Sequence, residues 1–269
     1  MRLAAAGLLL AAALAAEAGT SVAFVADIRG NATIEGDGKL NFLAEIAPGT
    51  RLLLGSNAVA SITYAATGAE FTIAGPGEFL VTPSEVKAEK GAAPKRRAVL
   101  ALPDPAVVSR LSQTATASLR MRSFTPSRGE KPALESPVDT RVTSLQPVLQ
   151  SRGASAGSTA VVHDAAGKEV WKGPLQAEGT RPGKLSPAKI YTWTVMTPQG
   201  VLGEARFETL PSDAIARVEK SRAAARTFPE RVLHALLLHD LGARQEAREA
   251  WGALARERPD LPELAALAR

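Results

Sequence analysis

The chain contains no cysteine among its 269 residues. Disulfides, thiol nucleophiles, Cys-ligated zinc, iron–sulfur clusters and lipoprotein acylation are therefore excluded. Histidine is nearly as scarce: three residues and no HExxH spacing leave histidine-based metal catalysis poorly supplied. Aromatic residues make up only 4%, so the cores must be built from Ala, Leu, Val and Ile, which bury modest area each. Thin β-sandwiches suit that composition better than a large α/β enzyme with a deep pocket. Beyond the first residues, no stretch is apolar enough for the roughly 20-residue span of a bilayer helix.

What is present is 45% hydrophobic residues over a length that allows roughly two domains of about 150 residues each. Residues 1–18 read as one device. Arg2 supplies the positive start, Leu3 to Ala16 the apolar run, and small residues approach Glu17 to Gly19. This is the pattern of a secretory signal peptide, with cleavage expected after Ala18. The competing reading is an uncleaved anchor or a buried Ala/Leu helix. After cleavage the chain is expected in a bacterial periplasm, not as an integral membrane protein, and the absence of thiols suits that oxidising compartment.

The net charge of +5 is unevenly spread. Residues 19–86 hold 3 basic and 7 acidic groups, whereas residues 87–141 hold 11 and 5. Lys95, Arg96, Arg97, Arg120 and Arg122 are the candidate patch for an anionic partner, such as an envelope glycan. The plainer reading is a solvated or linker-like basic stretch. Nucleic acid is not an expected partner, because no aromatic residues interleave the basic ones and export would separate the two.

From Val22 to Val86 short runs of Val, Ile, Leu, Phe and Thr are broken at intervals by Gly, the mark of an all-β fold. Gly36-Asp37-Gly38 predicts a hairpin turn, since such residues tolerate positive φ. Ala58, Ala60, Ile62 and Tyr64 fall on one face of a strand, and Val59, Ser61 and Thr63 on the other. The succession of Gly30, Pro48-Gly49, Leu52, Gly55, Ser61, Gly68, Phe71, Ile73 and Gly75-Pro-Gly-Glu-Phe79 resembles the FecR domain, an all-β module of bacterial envelope proteins. The resemblance covers roughly residues 22–100 and rests on rhythm, not on a catalytic motif. Family members that signal carry a transmembrane helix and a cytoplasmic part, which are missing here, so the resemblance implies a periplasmic module without iron-uptake signalling. A strand over Val99–Leu102, a helix over Asp104–Ser112 and a basic-faced strand over Thr114–Arg122 are expected to complete it. The unit therefore runs over residues 19–124, and Pro126, Gly129 and Pro132 mark a linker over 125–136.

Residues 137–211 carry six further short strands, among them Pro147–Leu149, with turns at Asp164–Gly167 and Pro198–Gly200. Leu185-Ser-Pro187 leading into Tyr191-Thr-Trp193 is similar to the approach to a late strand of a fibronectin type III or immunoglobulin-like sandwich. An early core Trp of that pattern is absent, so Trp171 and Trp193 are expected to fill the core, with a sugar-stacking platform as the alternative. Gly179–Lys184 is one residue short of a phosphate loop and has Leu185 in the Ser/Thr place. His163 and Asp164 are strand neighbours that point to opposite faces, so they do not form a catalytic dyad.

At Ser212 the composition turns to Ala, Leu, Arg and Glu, which favours helices. A first helix from Ser212 to near Arg226, a second from Pro229 to Gly242 and a third from Ala243 to about Arg258 are expected over a tail spanning 212–269. Ala235, Leu238, Gly242, Ala247, Trp251 and Pro259 resemble one tetratricopeptide repeat, although Leu254 stands where Ala is usual. A lone repeat cannot bury both faces, so it must pack on the 213–226 helix, on the sandwich or on another chain. Leu238 and Trp251 are therefore the candidate partner-docking face. His234 and His239 lie about 140° apart on a helix, too far round for one metal.

The fold expected is mainly β: two small β-rich domains followed by a short α-helical segment. The function expected is a non-catalytic adaptor with a protein partner in the cell envelope, no cofactor and no metal. A peptidoglycan or other anionic glycan binder is the alternative, and an envelope enzyme a third, for which no nucleophile elbow or metal-spaced ligand set is present.

Overall fold

A computed structural model describes residues 21–98, 134–152, 154 and 156–269, with the single positions 108, 110 and 113. The expected export segment, the Val99–Leu102 strand and the Thr114–Arg122 strand lie outside the described residues. Of the expected helix over Asp104–Ser112, Val108 and Arg110 are described, and both are helical. The chain is mainly β, with antiparallel sheets followed by C-terminal helices. Among the described residues no helix is long and apolar enough to cross a membrane.

The first β unit is a pair of five-stranded antiparallel sheets. One runs β10-β7-β6-β1-β4, built from β1 (Ala23–Arg29), β4 (Glu45–Ile46), β6 (Val59–Tyr64), β7 (Ala69–Ala74) and β10 (Lys95–Ala98). The other runs β3-β2-β5-β8-β9, from β2 (Ala32–Ile34), β3 (Gly38–Lys39), β5 (Arg51–Leu54), β8 (Gly77–Val81) and β9 (Val86–Lys90). The hairpin at Gly36–Gly38 is present, with Thr33 opposite Lys39 and both glycines at positive φ. Where strand ends converge, a Cβ on Gly75 would lie 2.0 Å from the Gly55 carbonyl oxygen, so only glycine fits. The Tyr64 hydroxyl donates to the Thr82 carbonyl at 2.9 Å and ties the two sheets together.

The alternation expected in β6 holds, but both of its faces are buried: Ser61 and Thr63 are 5% and 0% exposed. The same is true of β1, where Ala23, Phe24, Val25 and Ala26 are buried in succession. A strand reads as a continuous apolar run when both faces are covered. The second cover is the helical tail.

That tail comprises α1 (Ser212–Ala224), α2 (Phe228–Asp240), α3 (Arg244–Glu257) and α4 (Pro262–Leu267). The first three agree with expectation to within two residues, and α4 adds a turn beyond Pro259. Helix α2 buries Val232, Leu233, Ala235, Leu236, Leu237 and Leu238, nearly its whole circumference. A helix apolar all round must be covered on every side. It packs on α1, on α3 and on β1. The result is one hydrophobic core shared by the first β unit and the helices, running from Phe24 and Ile62 to Val232, Trp251 and Leu264.

The second β unit has a separate core around Trp193, Val195, Val162 and Phe207. Its larger sheet runs β12-β17-β16-β14-β15, from β12 (Thr140–Val142), β14 (Thr159–Asp164), β15 (Glu169–Pro174), β16 (Ile190–Thr197) and β17 (Gly200–Thr209). Strand β12 is parallel to β17, while the other pairs of this sheet are antiparallel. A smaller sheet pairs β11 (Leu134–Ser136) with β13 (Gln150–Ser151). Two boundaries differ from expectation. The linker stops short of Leu134, because β11 claims residues 134–136 for a sheet. The expected Pro147–Leu149 strand is displaced to β13, with Leu149 making only a bridge to Thr180; Pro147 has no N–H for a ladder.

Two aromatic residues fix this unit. Trp193 is fully buried and its Nε1–H donates to the Pro137 carbonyl at 2.8 Å. The Tyr191 hydroxyl accepts from the Ser186 amide at 3.0 Å, pinning the loop that leads into β16. Trp171 is half-buried and packs at the margin of the same core.

Candidate functional site

The three described residues of the expected basic patch lie on the edge strand β10. Strand alternation places Lys95 and Arg97 on one face of β10 and Arg96 on the other. Arg97, 45% exposed, reaches the helices, donating to Thr227 Oγ1 at 2.9 Å and lying 3.4 Å from Glu70 Oε2 and 3.5 Å from Glu230 Oε1. The Arg96 guanidinium sits 6.0 Å from the Phe71 ring centroid. Arg120 and Arg122 lie outside the described residues. Edge strands carry such charges to discourage pairing with other chains, and β10 is an edge strand.

The expected docking face on the helices is also corrected. Leu238 and Trp251 are 3% and 0% exposed, inside the core shared with the first β unit. The apolar face of these helices is covered within the chain, where α2 packs on β1.

Burial changes the acids that serve this internal joint. Desolvation raises the Glu70 carboxyl above its ordinary value, opposed by Arg97. At Glu230 burial pushes the same way, but hydrogen bonds from Thr227 and Arg226 outweigh it and hold the carboxyl low. Glu230 Oε2 accepts from the Thr227 amide at 2.7 Å and from the Arg226 amide at 3.0 Å. Arg258 is the deepest fastening. Its side chain is 8% exposed, and it pairs with Asp27, donates to the Ile28 carbonyl at 2.6 Å and pairs with Asp260 at 2.7 Å. Its guanidinium also lies 5.2 Å from the Phe228 ring centroid.

The second β unit meets the helices differently. The Arg141 amide donates to the Gly242 carbonyl at 3.1 Å, and the Arg244 amide donates to Thr140 Oγ1 at 3.0 Å. Glu246 Oε1 accepts from the Thr143 amide at 3.2 Å and from its hydroxyl at 3.0 Å. The other Glu246 oxygen is buried without a hydrogen-bond partner. Desolvation raises this carboxyl, against the two Thr143 bonds.

Two clefts flank this polar joint. One, of about 500 Å³, has Asp139, Arg206 and Glu208 on the β side and Asp240 and Arg244 on the helical side. The other, of about 600 Å³, has Glu178 and Arg181 on the β side and Glu219, Arg222 and Glu249 on the helical side. Both carry charges on each wall, and the larger is lined mainly by polar surface.

The remaining candidates have structural roles. Asp164 Oδ1 accepts from the Ala166 and Lys168 amides at 2.9 and 3.0 Å, which makes it the turn former expected of it. His234 Nδ1 lies 3.2 Å from Ser221 Oγ; burial and then Arg222 lower its pKa. Ser221 is itself buried, so this pair joins α1 to α2. Among the described residues no group of three or more His, Asp or Glu is placed to hold a metal.

Sequence reasoning overlooked Arg258, the Glu70–Arg97–Glu230 cluster and the Thr143–Glu246 joint. Only Thr227-x-x-Glu230, a capping-box spacing, was open to recognition. Comparison with family models, curated proteins and solved structures finds no match for this chain.

Proposed function

We propose that the chain is a non-catalytic adaptor of the bacterial cell envelope, in which a β module is presented on a firmly cored base. One observation carries this reading: two separate cores. The first β unit and the helices share one, while the second β unit has its own and touches the helices through polar contacts. That is the construction of a display module rather than of a buried reaction chamber. The FecR-like reading of the base draws support from its paired antiparallel sheets. The fibronectin type III or immunoglobulin-like reading of the module draws support from the buried Trp193 and from the Tyr191 hydroxyl bonded back to Ser186. The reading of residues 1–18 as an export signal supports a periplasmic location for the adaptor.

The glycan-binding alternative is less well supported, because Arg97 is already paired with Glu70 and Glu230 and because Trp193 and Trp251 are fully buried. Deleting the tail is an unsuitable test, since it removes half of a core. Charge reversal at the exposed Glu178 and Glu249, which line one cleft, leaves both cores intact. Cross-linking in intact cells is expected to capture one defined protein with the native chain and to lose it with E178K/E249K. Recovery of no protein partner, alongside salt-sensitive pelleting with cell-wall sacculi, would overturn the adaptor in favour of a glycan binder.

A further inference from the structure

We infer that the second β unit rocks on the helical base about the line Thr140–Thr143, so that the two clefts open and close in opposition. The hydrogen bonds that join the strands or loops of residues 134–209 to helices α2 and α3 and the turn between them start or end at Thr140, Arg141 or Thr143. Their partners lie within Leu241–Glu246 on the other side. Hydrogen bonds gathered on one short line make a pivot, not a plate. The covalent link to the helices runs beside it: the Leu210 amide donates to the Val142 carbonyl at 3.1 Å, and α1 begins two residues later. No hydrophobic core crosses the line, since the two cores are separate. Small polar interfaces of this kind permit rigid-body movement of one unit on another.

The clefts lie on either side of the pivot, and Thr140 and Arg141 line both. Rotation that narrows one must widen the other. Each cleft also holds opposite charges on its facing walls that are not paired across the cleft in this state, although Arg222 is paired with Glu219 on its own wall. In the smaller cleft Arg206 stands on the β wall and Asp240 on the helical wall, and Asp139 is matched by Arg244. In the larger, Arg181 is matched by Glu249 and Glu178 by Arg222. Closing either side brings such pairs together, so the module has two electrostatically latched positions and the structure lies between them. Glu246, with one oxygen bonded to Thr143 and the other unpartnered, sits on the pivot and can keep its hydrogen bonds through a small rotation.

The absence of cysteine allows a direct test. Nitroxide labels at Q150C and Q245C, neutral residues on opposite walls of the larger cleft, report its width by double electron–electron resonance while every latch charge is kept. Two distance populations are expected. Asp240→Asn weakens the latch of the smaller cleft and is expected to move the ratio about two- to five-fold toward the short distance, the range for exposed ion pairs. Glu178→Gln with Glu249→Gln is expected to move it by a similar factor toward the long one. High salt should erase both shifts. Unchanged melting temperatures establish that each variant is folded. A single narrow distance that neither variant moves would overturn the inference, and so would a shift in the same direction from both.

Discussion

Arg258→Ala tests whether the tail is a structural part of the first β unit. The side chain, 8% exposed, joins the end of α3 to β1 through Asp27 and the Ile28 carbonyl. Its loss leaves the Asp27 carboxylate, itself 14% exposed, without its buried partner. Breaking a buried ion pair from one side costs about 3–5 kcal/mol. Arg29, 3.6 Å from the same carboxylate, relieves part of that, and the exposed Asp260 adds little. The stacking on Phe228 contributes about 1 kcal/mol. The expected loss is therefore about 3 kcal/mol. Urea denaturation followed by hydrogen exchange and mass spectrometry reads it unit by unit. Protection should fall together in peptides from residues 23–98 and 228–257, while peptides from 140–209 keep theirs. Arg258→Lys, which keeps the charge but loses the planar fork, should fall between the two. A loss under about 0.5 kcal/mol, or exchange that rises in the tail alone, would refute the shared core as a cooperative unit.

Three further outcomes follow from the same contacts. Glu246 has a folded pKa raised by burial, so the stability that accompanies its protonated form is complete below the ordinary carboxylate value. That stability is lost as pH rises through the folded value. Glu246→Gln keeps an acceptor for Thr143 and should flatten this acid-side fall, measured by urea midpoints between pH 4.5 and 7.5; an unchanged slope would rule out Glu246 as its source. Arg97→Ala removes the counter-charge of Glu70, whose side chain is 4% exposed. It should cost about 1–3 kcal/mol at neutral pH, less as acid protonates Glu70, and adding Glu70→Gln should recover most of the loss in a double-mutant cycle. Gly75→Ala drives a Cβ onto the Gly55 and Leu54 carbonyl oxygens, at 2.0 and 2.9 Å. Both neighbours are backbone, so a loss of about 3 kcal/mol is expected in thermal melts.

The strands were legible because their determinants are local. Gly36 and Gly38 at a hairpin, Asp164 at a turn and alternation along Ala58–Tyr64 act within a few residues, and each reappears in the structure. The helices were legible for the same reason, through composition and Pro229. What was not legible is where the helices pack. Leu238 and Trp251 carry the same sequence signature whether they cover a partner or the chain's own β1, and only tertiary structure decides. One clue was present: Val232–Leu238 is apolar around almost the whole helix, more than a single repeat needs. The continuous run Ala23–Ala26 is its counterpart on the strand side. Arg258 and Asp27 gave no signal, being more than two hundred residues apart in sequence. The cluster Lys95–Arg97 misled because consecutive strand residues alternate faces, which divides a run of charge that looks continuous in one dimension.

The burial of the helical face changes what kind of recognition this molecule can perform. Among the described residues the exposed large hydrophobics are Val170, Met196 and Val201, all on the second β unit. Met196 and Val201 are cross-strand neighbours, and Val170 lies on a different strand, so they form no broad apolar patch. In the proposed adaptor, the described surface offers a partner chiefly charge and hydrogen bonds, on walls such as those bearing Arg206 and Asp240 or Arg181 and Glu249. Recognition of that type acts strongly on encounter rate and partner choice, and it weakens with salt. It also couples to the pivot: a polyion lodged in one cleft competes with that cleft's own cross-wall charges, and by opening it narrows the other. Partner binding and module orientation are then two readings of one equilibrium, with the Thr140–Thr143 line as its fulcrum.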